Sequence, residues 1–186
     1  AALAALAGRP AAAQPGPAGG TGRLGIGRPA TPAEIARLDV DVRPDGRGLP
    51  PGRGSVARGA TVYAARCASC HGVRGEGTPA GAALVGRTPG DAFDFAAARA
   101  RERTKTIGNY WPYATTLFDY VRRAMPYDRP GSLADDEVYA VSAYLLARNG
   151  LVAADATLDA ATLPRVRMPA RDRFVRDDRE AHARVH

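Results

Sequence analysis

The sequence predicts an all-α domain of roughly 100 residues, flanked on both sides by irregular extensions. Two capped segments of helical period, SVARGATVYAARC and SLADDEVYAVSAYLLARNG, bracket residues 55–150. Between them WPYATTLFDYVRRAMP, bounded by prolines, reads as a third helix. The 15 prolines and 21 glycines crowd outside this middle region. The hydrophobic share is 45%, but much of it is alanine, which buries little area per residue.

Taken in order, residues 1–13 (AALAALAGRPAAA) resemble the tail of a signal peptide. Their short apolar run and small residues suit cleavage before Gln14, so export to the periplasm is expected. A plain Ala/Pro/Gly leader is the competing reading. Residues 14–54 form a Pro/Gly-rich N-terminal extension with one helical candidate, TPAEIARL. There Thr31 can cap, Pro32 suits the first helical position and Glu34 stands three residues after the cap. The segment 55–150 is the expected domain. Its first helix runs from about Val56 to Cys67, with Gly59, Tyr63 and Cys67 on one face. A Gly-rich loop follows to about Gly90, and DAFDFAAARARER (91–103) is helix-compatible. In the third helix Pro112 marks the start, Leu117, Tyr120 and Val121 share a face, and Pro126 ends it. In the last helix Ser132 and Asp135 make a capping pair, Val138, Val141 and Leu145 form a stripe beside Tyr144, and Gly150 is the stop. Residues 151–186 are a C-terminal extension, again irregular. No stretch approaches the roughly 20 apolar residues of a membrane span.

Net charge is +7, which alone would admit nucleic acid. The distribution argues against it. The charge is +3 over residues 1–54, +3 over 55–150 and +1 over 151–186, with acids interspersed throughout and no basic stripe carrying interleaved aromatics.

The chemistry is concentrated in CASCH. Cys67 and Cys70, the only cysteines, stand three apart with His71 directly behind. A closed zinc site needs about four ligands, and the remaining histidines, His182 and His186, lie in the C-terminal tail. A thioredoxin-like dithiol calls for a βαβ setting, which the sequence does not offer. C-x-x-C-H is the attachment sequence for c-type haem. Two intervening residues put both sulfurs on one side of a turn, where they bond to the vinyl groups, and the adjacent histidine is held under the iron. A second axial ligand is then needed. Met125, one of two methionines, ends a helix just before Pro126 and so displays its thioether on a loop. Met168 also precedes a proline but falls outside the helical frame.

On these residues the chain resembles class I cytochrome c over roughly 54–150. GATVYAARCASCHG, GEGTPAGAALVG, RAMP and AYLLARNG carry the resemblance. It implies one covalent haem c bound through Cys67 and Cys70, with His71 and Met125 on the iron. It also implies that the first and last helices cross at Gly59 and Tyr63, facing Tyr144. The carbonyl of Pro79 is implied as the acceptor for the proximal histidine's other nitrogen, although Thr78 stands where a glycine is usual. Trp111, the only tryptophan, either donates to a haem propionate or packs as a core aromatic. Arg122 and Arg123 either ring the haem edge or form a solvated helix face.

A narrower resemblance covers roughly residues 24–176. GIGRPATPAEIARLDVDVRPDGRGLPPG, YWPYATTLFDY and LPRVRMPARDRF are similar to the cytochrome subunits of periplasmic sulfite and sulfane dehydrogenases. This implies a molybdenum-containing catalytic partner, a downstream cytochrome acceptor, and arms that order against that partner. An iron with both axial positions filled favours electron transfer over substrate chemistry. Asp135, Asp136 and Glu137 suit the helix dipole rather than acid–base work. A freestanding carrier, or a gas-binding module that opens when Met125 leaves, are the competing functions.

Overall fold

The computed structural model describes residues 27–86 and 104–175. The segment at 91–103, the leader and His182 and His186 lie outside the described residues. Two units divide at Leu38.

The first unit contains helix α1 (Pro32–Leu38). The expected capping box is present. Thr31 Oγ1 accepts from Glu34 N at 3.3 Å, while Glu34 Oε2 accepts from Thr31 N at 2.8 Å. Arg28 pairs with the same carboxylate, and the two effects hold Glu34 down to about 2.

The second unit begins at Asp39. Its described elements are β1 (Arg53–Ser55), α2 (Val56–Arg66), the single turn α3 (Ala68–His71), α4 (Ala114–Ala124), α5 (Asp135–Arg148) and β2 (Thr157–Asp159). Two 3-10 turns, Leu163–Arg165 and Arg171–Arg173, follow β2. Helix α5 is the centre. Val138, Tyr139, Ala140, Val141, Ser142, Ala143, Leu145 and Leu146 are all buried, so it is covered on nearly every side.

Contact with α2 is set by the glycine the pattern singled out. A Cβ at Gly59 would lie 1.9 Å from the Ala140 carbonyl oxygen and 2.7 Å from Tyr144 Cβ. Only glycine lets the two backbones meet there. Beside this crossing the Tyr63 and Tyr144 rings pack at 5.1 Å.

The helix ends follow local rules, with two shifts from the sequence reading. Ser55 caps α2 by accepting from Arg58 N at 3.2 Å. Helix α4 starts two residues after Pro112, with Tyr113 extended at its N-cap. Its buried face uses Phe118, whose ring packs tilted against Tyr139 at 4.5 Å, and leaves Tyr120 exposed. The N-cap of α5 is Ala134 rather than Ser132. Alanine offers no side-chain acceptor, so Glu137 makes the contact by accepting from Ala134 N at 3.1 Å. At the other end Gly150 adopts φ +66°, and Leu151 N and Gly150 N bond back to Leu146 O and Ala147 O, a Schellman closure.

The extensions are where structure and sequence reading differ most. Residues 39–54 and 151–175 are not separate arms. β1 pairs antiparallel with β2, with Gly54 opposite Leu158. A Cβ at Gly54 would strike Ala140 N at 2.0 Å, so the ribbon lies on α5 near the α2 crossing. Tyr139 Oη donates to Pro50 O at 2.8 Å, Asp136 accepts from Arg53 N, and Asp119 accepts from Val42 N. Leu158, Leu163, Met168 and Ala170 are buried in the common core. Segments too poor in apolar residues for a core of their own thus complete one already begun by α4 and α5.

Candidate functional site: the Cys67–His71 turn

Helix α2 ends where its last turn tightens into α3. Cys67 N bonds back to Tyr63 O, and Cys67 O then accepts from both Cys70 N (3.2 Å) and His71 N (2.9 Å). This single turn places both thiols and the imidazole within one five-residue span. Cys67 is half-buried against the core, Cys70 is exposed, and neither is in a disulfide. Burial, and then the neighbouring Cys70, pushes the Cys67 thiol up to about 11. Redox-active dithiols depend on a lowered thiol pKa, so the environment runs against that chemistry.

The turn is anchored from both sides. Tyr63, fully buried, donates its hydroxyl to Gly72 O at 2.7 Å. Burial, with nearby Cys67, raises that phenol to about 12, so it remains a donor. On the other side the Gly-rich loop folds back. Gly77 N donates to His71 O at 2.8 Å, and Leu84 N and Val85 N share Gly75 O. Asn149, buried just beyond α5, donates to Leu84 O and Leu145 O and accepts from Gly86 N.

His71 Nδ1 lies 2.7 Å from a backbone carbonyl, but that carbonyl belongs to Ala82 and not to Pro79. Thr78 and Gly81 close a tight turn through paired backbone hydrogen bonds, which puts Pro79 and Ala80 at its exposed tip. The chain passes the imidazole only after the turn has closed. A ring whose Nδ1–H is committed to a carbonyl presents Nε2 as its free lone pair, the tautomer an axial ligand requires. Two unpaired thiols and an imidazole so oriented on one turn fit a covalent haem c.

Met125 is the C-cap of α4, extended at φ −124°, with its backbone N bonded to Val121 O. Pro126 has no N–H to continue the helix. The side chain is half-buried and packs against the core. Met168 is fully buried within that core, which accounts for it as packing. Trp111 is also half-buried and meets Tyr120 edge-on at 5.8 Å.

Arg122 and Arg123 are neither a free basic ring nor an unengaged face. Arg122 Nε bonds Asp135 at 3.0 Å, and Arg123 pairs with Asp119 and with Asp41. The three acids at the start of α5 are occupied as well. Asp135 holds Arg122, Asp136 holds Arg53 N and Glu137 caps the helix. The contacts missed in the sequence are Ala82, Thr78 and Asn149. A backbone acceptor has no residue signature, and the helix stop read at Gly150 carries no sign of what Asn149 beside it would hold.

No described helix is long and apolar enough to cross a membrane. The cytochrome c family model matches residues 56–149. Over 101 residues the chain is 31% identical to thiosulfate dehydrogenase of Stutzerimonas stutzeri (strain A1501), which covers 52% of this chain and 28% of that protein. It thus spans little more than a quarter of the curated relative it matches. The crystal structure of the sulfane dehydrogenase SoxCD from Paracoccus pantotrophus is similar at 42% identity and a TM-score of 0.72. That match covers 87% of this chain and 76% of the other. The helical frame, the C-x-x-C-H turn and these matches together place the chain in the cytochrome c family, as an electron-transfer haem protein with covalently attached haem c.

Proposed function

We propose that this cytochrome is the electron-accepting subunit of a periplasmic molybdenum-containing dehydrogenase acting on a sulfur compound, and that it passes electrons to a downstream cytochrome. The observation that carries this is the extent of the likeness to SoxCD. At 87% of the chain it reaches beyond the 94 residues (56–149) of the family model and into the segments that pack around α5. A freestanding carrier needs only the haem domain, whereas a subunit of a fixed complex has use for added ordered surface.

In this reading Cys67 and Cys70 hold the haem, and His71 and Met125 are the axial ligands. The bound group supplies a one-electron couple. The protein orients the His71 ring through Ala82, keeps water from the core side of the turn with Tyr63 and Tyr144, and presents Met125 at the end of α4. Thioether ligation raises the potential relative to a second nitrogen ligand, which suits an acceptor.

The test is purification from the native host in mild salt, followed by addition of sulfite or thiosulfate while the haem band is followed and molybdenum assayed. Substrate-driven reduction with co-purifying molybdenum is the expected result, and the active compound names the substrate. A monomer that only ascorbate or dithionite reduces would leave the freestanding carrier instead.

A further inference from the structure

We propose that Thr78 is a positioning residue for the haem iron. Its hydroxyl clamps the 78–82 turn to the haem-attachment turn and thereby sets the strength of the His71–Ala82 hydrogen bond. The inference rests on His71 being an axial ligand.

Two contacts join these turns. Thr78 Oγ1 donates to Cys70 O at 2.5 Å and accepts from Ala80 N at 3.1 Å, so both of its hydrogen-bonding roles are used. Four residues on, the Ala82 carbonyl meets His71 Nδ1 at 2.7 Å. Between them the loop lies flat on the attachment turn. A Cβ at Gly81 would fall 2.7 Å from Cys70 O and 3.1 Å from His71 Nδ1. The paired Thr78–Gly81 backbone bonds make the intervening segment short and stiff. A fixed point at one end therefore locates the acceptor at the other.

The consequence is electronic. A carbonyl held in line with Nδ1–H raises the basicity of the imidazole, strengthens its donation and favours the ferric state. Without the Thr78 hydroxyl the turn is tied to the attachment segment through fewer contacts, and the Ala82 carbonyl moves off its alignment. The imidazole becomes a weaker donor and the reduction potential rises. The pairing with Ala82 and the use of a hydroxyl at position 78 go together, since the side chain braces, through Ala80 N, the backbone-closed turn that carries Pro79 away from the ring.

The test uses the haem-loaded full chain with Thr78→Val, which keeps the shape and removes the hydroxyl, and Thr78→Ser, which retains it. Potentiometric titration gives the potential, and proton NMR of the diamagnetic ferrous form gives the exchange rate of the His71 Nδ1 proton. The Val variant should show a raised potential and Nδ1–H exchange several-fold faster. The Ser variant should stay near the parent on both. A Val variant matching the parent on both readouts, or a Ser variant displaced as far as Val, overturns the proposal. If the Val variant fails to mature, the parent provides its own check through a slowly exchanging Thr78 hydroxyl proton. A rapidly exchanging one overturns the clamp. Failure of His71 ligation itself is distinguishable, because the parent spectrum would already lack the signature of a low-spin histidine-ligated haem.

Discussion

Gly59 shows how much one residue decides. Its missing Cβ is replaced in space by the Ala140 carbonyl at 1.9 Å, backbone that cannot move aside as a flexible side chain would. Gly59→Ala should therefore separate α2 from α5, at a cost at or above the roughly 3 kcal/mol upper range of core overpacking. A drop of several degrees or more in the melting temperature of the haem-loaded protein would register it, and an unchanged melt would mean that the crossing is not as close as described. Met125 is the residue-scale test of the iron's environment. Met125→Ala should open the distal position, let the ferrous protein bind carbon monoxide and lower the potential. A variant whose spectrum matches the parent would assign the ligand elsewhere.

Among elements, the β1–β2 ribbon has a pH-sensitive fastening. The Asp159 carboxylate accepts from Ala161 N, Thr162 N and Thr162 Oγ1, all within 2.9 Å. The Thr162 hydroxyl first, then its backbone N–H, holds this carboxyl below its ordinary value of 3.8. A depressed folded-state pKa adds stability that is complete above the ordinary value and vanishes as pH falls through the folded one. Hydrogen exchange at the Ala161 and Thr162 amides, corrected for intrinsic rates, should thus lose protection below about pH 4, and Asp159→Asn should flatten that dependence. Protection that stays constant to acid pH in the parent would contradict this. At the same scale, α4 is pinned at its last turns by Arg122 to Asp135 and by Arg123 to Asp119 and Asp41. Both arginines were legible as a pair before Met125. Asp119 lies one helical turn from Arg123 and is within local reach, but Asp135 and Asp41 lie 13 and 82 positions from their arginines, separations at which no local pattern operates.

For the whole molecule, the boundary of the folded unit lies at Leu38, not at the start of α2. The reference is the melting temperature of the haem-loaded form that lacks residues 1–38, which retains the whole second unit. Removing residues 1–52 should lower it, because Tyr139 Oη loses Pro50 O and Asp119 loses Val42 N. An unpartnered buried hydroxyl costs about 1–3 kcal/mol, so the second truncation should melt several degrees earlier. Equal melting of both forms would show that residues 39–52 add nothing to the fold.

The sequence by itself determined the helical frame, the attachment turn and most helix ends, while the starts of α4 and α5 each fell two residues later than read. These depend on near neighbours: a cap three residues from its amide, two thiols within one turn, a proline that cannot donate, a glycine free to adopt positive φ. Gly59 with Tyr63 was also readable, since residues four apart share a helix face. Tertiary structure alone decided which carbonyl meets His71, what Asn149 holds, and that residues 39–54 and 151–175 close over α5. Each of these depends on a backbone group or on segments far apart in the chain, and backbone carbonyls are chemically alike at every position. Only the path of the folded chain selects Ala82 over Pro79, and only a core already half built by α4 and α5 gives the sparse apolar residues of the extensions somewhere to go.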